Sequence, residues 1–210
     1  MKRRGILAVI SGFSGAGKGT LVSLLLEQYD QYALSVSATT RKPRPGEQEG
    51  VHYFYKTEQE FMDMIERDEL LEHACYVGNY YGTPREFVEQ QLAAGKDVIL
   101  EIEVQGALQV KEQFPEALLL FVTTPDADEL VRRLHKRGSE TDEQIKKRIQ
   151  RAYEEAELIN GYDALIVAYD PESGVRQIHC AVEAARMSPS HNKEFISAIR
   201  AELAERGEEL

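Results

Sequence analysis

The run Ser11-Gly12-Phe13-Ser14-Gly15-Ala16-Gly17-Lys18-Gly19-Thr20 gathers what a bound phosphate group needs. Its glycines accept positive φ and leave no Cβ in the way, so backbone N–H groups can turn inward around anionic oxygens. Lys18 adds a point charge, and a helix starting there offers unpaired N–H groups and a positive dipole end. The Gly-x-x-x-x-Gly-Lys spacing from Gly12 to Lys18 also occurs in purely structural glycine turns. Here the apolar run Gly5 to Ile10 precedes it and Leu21 to Leu26 follows it, which is the strand–turn–helix setting of a phosphate loop. Gly19 stands where Ser or Thr normally follows the lysine, and Thr20 comes next.

Four other groups carry chemistry. In Ser37-Ala-Thr-Thr-Arg41-Lys-Pro-Arg44-Pro-Gly46 two arginines flank a proline-stiffened turn. Their forks suit one dianionic phosphate, with a hydroxyl from Ser37, although an ordinary solvated charged loop reads the same way. Glu72 is followed by Gly78-Asn79-Tyr80-Tyr81-Gly82-Thr83, read as a turn whose tyrosines seat a ring and donate hydroxyls. Thr83 serves equally well as a helix N-cap. Glu101 and Glu103, two apart on a strand, face one way at the carboxyl end of a core run, where open α/β sheets bind ligands. Such carboxylates need a cation or strong donors. Finally, Arg132 to Thr141, with Lys147-Arg148 and Arg151, is a basic segment able to close over a triphosphate, or simply a pair of charged helix faces.

The elements that must position these residues follow from periodicity. The first helix ends near Gln28 to Asp30. Strands are expected over Ala33–Ser37, Val51–Tyr55, Leu70–Val77, Asp97–Glu103, Ala117–Thr123 and Asp163–Ala168. Helices are expected after Thr57, with Glu60 closing a capping box, and after Thr83, with Pro84 and Glu86 in its first turn and Gly95 ending it. Others are expected after Pro125, from Thr141 with Gln144, and from about Val175 to Arg186. The continuous apolar strands predict an α/β fold with a parallel sheet covered on both faces, and residues 37 to 88 leave no room for crossovers, so they predict an antiparallel insertion. Ser188 to Leu210 breaks at Ser-Pro-Ser and then spaces Phe195, Ile196, Ile199 and Leu203 as one helical face, to pack on its own subunit or on a partner copy.

At 210 residues the chain suits a single domain with a sizeable core, and a net charge of -11 argues against nonspecific nucleic-acid or acidic-membrane binding. Met1 to Arg4 before a short apolar run imitates a signal peptide, but the run is too brief and leads straight into the phosphate loop. Cys75 and Cys180 lack metal or disulfide spacing, and a cytoplasmic location is expected.

In their order these segments resemble the guanylate kinase family, over roughly residues 5 to 186. The pieces that carry the resemblance are Ser11 to Thr20 with its Gly-Lys-Gly-Thr variant, Ser37 to Glu47, Gly78 to Thr83, Glu101 to Gly106, and Arg137-Gly-x-Glu-Thr with Arg148. The resemblance implies a P-loop kinase core (1–36, 89–125, 159–187), a GMP-binding insertion (37–88), a helical lid (126–158) and a tail (188–210) with no assigned role. It implies transfer of phosphate from ATP to GMP with Mg²⁺. Gly12, Phe13, Ser14, Gly15, Ala16, Gly17, Lys18, Gly19 and Thr20 would bind ATP. Ser37, Arg41, Arg44, Tyr53 and Tyr81 would hold the GMP phosphate, and Glu72, Thr83 and Glu103 the guanine. Lys18, Arg41, Arg137 and Arg148 would be catalytic, with Thr20 on the metal and Glu101 reaching it through water. Many relatives carry Asp-x-Asp where this chain has Glu101 and Glu103, and an Asn where it has Ala168-Tyr169. A related kinase for a phosphorylated sugar, an adenylate kinase and an idle protein-binding module are the competing readings.

Overall fold

The computed structural model describes residues 3–76, 78–136 and 141–208. Its centre is β1 (Leu7–Gly12), buried along its whole length. β1 lies parallel between β7 (Asp97–Glu101) and β8 (Leu118–Thr123), while β2 (Tyr32–Leu34) flanks β7 and β9 (Ala164–Val167) flanks β8. The sheet order β2-β7-β1-β8-β9 puts the first strand in the middle, so the turn that follows it opens at the carboxyl edge between two neighbours.

Helices cover both faces, which is why these strands read as unbroken apolar runs. On one face α1 (Lys18–Gln28) and α7 (Pro171–Met187) bury Leu21, Leu25, Val175, Ile178 and Val182 against Ala8, Ile10, Leu120 and Val122. On the other, α3 (Arg85–Ala93) and α4 (Val104–Gln113) pack Val88, Leu92, Ala107 and Val110 on Val9, Leu100 and Leu119. A second sheet joins β3 (Ala38–Thr39), β4 (Phe54–Tyr55), β5 (Leu70–Tyr76) and β6 (Asn79–Pro84) in the order β4-β3-β6-β5. With α2 (Glu58–Glu66) it encloses a small core of Ala38, Phe61 and Leu70. α5 (Ala127–Lys136) and α6 (Asp142–Ala156) share a third cluster, Leu130, Leu134, Ile145 and Ala152, into which Phe13 reaches.

The expected capping boxes at Thr57–Glu60 and Thr141–Gln144 are both formed. Gly95 ends α3 with φ 86°. Several expectations are corrected. Thr83 does not cap α3: the cap is Pro84, and Thr83 lies within β6 with its hydroxyl turned to Glu72. Tyr80 and Tyr81 lie in β6 rather than in a turn, because Thr40 Oγ1 and Thr39 Oγ1 fasten the Tyr80 backbone to β3. The second sheet is antiparallel apart from the β3–β4 pair, which is parallel. β7 stops at Glu101, so Glu103 is not on the strand; it precedes α4, a helix the apolar pattern did not announce. α7 begins earlier than expected, where Asp170 and Ser173 form a capping box around Pro171. The tail helix α8 (Lys193–Glu208) leaves Phe195 65% and Leu203 63% exposed, against the expectation of packing on its own subunit. It rests chiefly on the 3-10 turn Pro189–Asn192 that launches it.

Candidate active site

The phosphate loop is shaped by places where a side chain cannot go. Gly12, Gly15 and Gly17 have φ of 141°, 99° and 100°. A Cβ on Gly12 would stand 2.0 Å from the Val122 carbonyl oxygen, and one on Gly15 2.8 Å from Leu134. α1 starts at Lys18 behind a left-handed Gly17 with no side-chain cap, which leaves its first N–H groups for a ligand. Lys18 folds back over the loop, its Nζ donating to Gly12 O at 2.7 Å and Phe13 O at 3.3 Å. Gly19 lies against Glu101, whose carboxylate oxygens sit 3.6 and 3.7 Å from where a Cβ would be. Burial raises the Glu101 pKa, Lys18 lowers it and Glu103 raises it.

From Lys18 a cavity of about 370 Å³ runs to the second sheet, and Ser37, Tyr53, Glu72, Tyr81, Glu101 and Glu103 all line it. Thr83 stands behind this wall, its hydroxyl donating to Glu72 Oε1 at 2.7 Å. The two expected phosphate arginines sit differently. Arg41 Nη2 donates to Glu47 Oε1 at 2.8 Å, and its guanidinium lies 5.2 Å from the centre of the Tyr53 ring, beside the cavity. Arg44 is exposed and meets Glu47 through its backbone N–H, at 2.7 Å; its guanidinium is not part of the lining.

α6 contributes Arg148, whose Nη1 donates to Ser14 Oγ at 3.0 Å and so touches the phosphate loop. Arg151 Nη2 donates to Glu103 Oε2 at 3.0 Å, tying α6 to the cavity mouth. Arg137 lies outside the described residues. Thr20 is exposed at the start of α1, on the helix turn that Glu101 faces.

Four residues were given no role of their own from the sequence. Glu47 accepts from Arg41, from the Arg44 backbone and from Tyr55 Oη, and these donors hold its carboxyl down at about 2. Its place inside the Ser37–Glu47 motif was the available signal. Arg133 donates to Ala16 O at 2.8 Å, Ala168 O at 2.9 Å and Glu129 at 2.7 Å, joining the loop, the end of β9 and α5. Gly106 admits Glu72: a Cβ there would stand 2.5 Å from Glu72 Oε2. Ser35 lines the cavity with a buried Oγ that finds no hydrogen-bond partner among the described residues, and nothing in its surroundings in sequence marks it.

A central-strand phosphate loop in a five-stranded parallel sheet, faced by arginine-bearing helices, defines a P-loop kinase. Comparison with known proteins narrows the class. The family model described as guanylate kinase matches residues 4–185. The chain is 56% identical over 166 residues to guanylate kinase of Desulfitobacterium hafniense, covering 79% of this chain and 83% of that one. To guanylate kinase of Caldanaerobacter subterraneus it is 46% identical over 202 residues, 96% and 98% of the two chains. The crystal structure of guanylate kinase from Anaplasma phagocytophilum matches with a TM-score of 0.72 at 32% identity, covering 89% of each chain. The chain belongs to the guanylate kinase family.

Proposed function

We propose that the protein transfers the terminal phosphoryl group of ATP to GMP, giving ADP and GDP. The observation that carries this reading is the single recess in which Lys18 of the phosphate loop and the acidic wall of Glu72 and Glu103 face one another. Guanine presents N1–H and N2–H₂ donors, which carboxylates accept, whereas adenine has a bare N1 and no N2 amine. In this reading Glu72, Thr83 and Glu103 select the base, and Ser37, Arg41, Arg44, Tyr53 and Tyr81 hold its phosphate. The Gly12–Thr20 amides and Lys18 hold the donor phosphates. Residues 37–88 form the acceptor-binding part and 126–158 the lid.

Phosphoryl transfer asks mainly for positioning and charge neutralisation. Arg41, Arg137 and Arg148 serve the moving group, and arginines so placed are worth about 10³ to 10⁵ in rate. Because Arg148 already touches Ser14, its charge stands at the loop without any rebuilding of the site. In a chain of net charge -11 this cluster also inverts the local field that two anionic substrates meet.

Among the described residues no group of three or more His, Cys, Asp or Glu is arranged to hold a metal ion alone. One hydroxyl at Thr20 and one carboxylate at Glu101 fit a Mg²⁺ ion whose remaining ligands are water and phosphate oxygens. Such an ion would neutralise phosphate charge and keep the donor chain aligned. No helix of the described residues is long and apolar enough to cross a membrane. Two free, exposed thiols, Cys75 and Cys180, support a reducing, cytoplasmic setting, and the reading gives no role to nucleic acid or membrane.

A coupled steady-state assay with GMP, dGMP, AMP, UMP and a sugar phosphate as acceptors tests the proposal. GMP is expected to exceed AMP in kcat/KM by about 10⁴-fold or more, the margin a hydrogen-bonding site can impose. Equal use of AMP or of the sugar phosphate would refute it.

A further inference from the structure

Three acids are buried among the described residues: Glu72, Asp97 and Glu155. Asp97 meets Arg186 and also accepts the Ile6 N–H, at 2.8 Å; Glu155 meets Arg151, at 2.8 Å. Glu72 has a neutral partner instead, the Thr83 hydroxyl. The chain puts it there deliberately: the β5–β6 register shifts between Leu70 and His73, and this irregularity sends Leu71 into the main core and turns Glu72 to the cavity wall. Titratable groups on the surrounding elements are Lys18 of α1, His52 and Tyr53 before β4, Tyr81 of β6, Glu101 at the end of β7 and Glu103 before α4. From α4 only Gly106 approaches, bringing no charge. A carboxylate so desolvated and without a cation favours its neutral form.

Resting on the proposed GMP activity, we propose that Glu72 takes up a proton in the empty pocket, and that the guanine base displaces this proton to solvent on binding. Thr83 occupies Oε1 by donating to it, so the proton belongs on Oε2, the oxygen beside Gly106. An O–H there opposes the N1–H and N2–H₂ donors of guanine, two donors meeting head-on, until the proton leaves. The same O–H matches the bare N1 of adenine. Base selectivity is therefore a function of pH. Burial pushes the Glu72 carboxyl up to about 7, with only the Thr83 hydroxyl working against it. Affinity for guanine should accordingly weaken by up to about tenfold for each pH unit below neutrality, and the preference for GMP over AMP should shrink with it.

Infrared difference spectroscopy on the full chain tests this, using the carbonyl stretch of a protonated carboxyl, a signal the phosphate of GMP does not disturb. The free protein at pH 6 is expected to show a band that is absent from Glu72→Gln, fades by pH 9 and disappears under saturating GMP at pH 6. Thr83→Val, which removes the one opposing donor, is expected to carry the band to higher pH. Absence of a band sensitive to Glu72→Gln, or a band that persists with GMP bound, overturns the inference. Calorimetry on the same samples separates the two claims. GMP binding with the band retained removes this inference alone, while no GMP binding removes it together with the proposed activity.

Discussion

Between Gly12 and Thr20 the protein offers a ligand mostly backbone, set in nine consecutive residues; across the cavity it offers side chains drawn from several separate segments. The loop satisfies itself when empty, with Lys18 on two of its own carbonyls. The opposite wall keeps a buried acid on one hydroxyl and a buried Ser35 Oγ without a partner among the described residues. A phosphate is recognised by charge and curvature, which glycines and a helix end supply cheaply. A base is recognised by donors and acceptors that must wait, desolvated, for their complement, so selectivity is stored as instability in the free protein.

Several experiments can break or sharpen that contrast. The largest effect is expected for Lys18→Ala, which should lower kcat by about 10³-fold for every acceptor while leaving their ranking unchanged, because the loop does not read the base. Glu72→Gln should do the reverse, cutting selectivity for GMP over AMP by about 10²-fold or more in competition assays. That variant should also be the more stable protein. The folded-state carboxyl titrates near 7 against an ordinary 4.5, so the folded chain binds the proton more tightly than the unfolded one. Stability therefore falls as pH rises from about 4.5 to 7 and stays lowered above, by on the order of 2–3 kcal/mol. Thermal melts should show Glu72→Gln about 5–10 °C above the parent at pH 8 and little difference at pH 4. Glu47→Gln, which loosens Arg41 without touching the cavity, should raise KM for GMP up to about tenfold with kcat less affected. Arg151→Ala should change steady-state constants by less than about threefold, since its pair with Glu103 is solvent-exposed, and should show instead as lost stability, because the buried Glu155 loses its cation.

The same contrast explains what could be read in advance. The phosphate loop and the covered parallel sheet were legible because their signals are local: glycine spacing, a lysine, unbroken apolar strands. α4 was missed because Gln105, Gln109 and Gln113 dilute the apolar positions Val104, Ala107 and Val110 that it buries. Thr83 followed by Pro84 and Glu86 marks a true helix start but suggests the wrong cap, and only the position of Glu72 across the sheet reveals that the Thr83 hydroxyl is engaged elsewhere. The proposed guanine-reading role of Glu72, Thr83 and Glu103 was named through resemblance to a family, whereas the proposed phosphate role of Arg41 and Arg44 was read from their proline-stiffened turn. Gly106 acts through a contact with Glu72 that sequence order does not bring together, whereas Glu47 meets Arg41 and Arg44 within its own motif. The exposed face of α8 shows the opposite error, a periodicity correctly taken for a helix whose apolar stripe found nothing to cover it within the described chain.

Arg133 gives the phosphate loop a history as well as a shape. It reaches Ala16 across 117 positions of sequence and Ala168 across 35, so the loop's fastening arrives only when α5 and β9 have both docked. Contacts of such long range close late in folding. A site written in nine neighbouring residues is thus expected to become competent among the last parts of the chain. During refolding, capture of a fluorescent ATP analogue is expected to lag behind helix formation and to coincide with completion of the sheet.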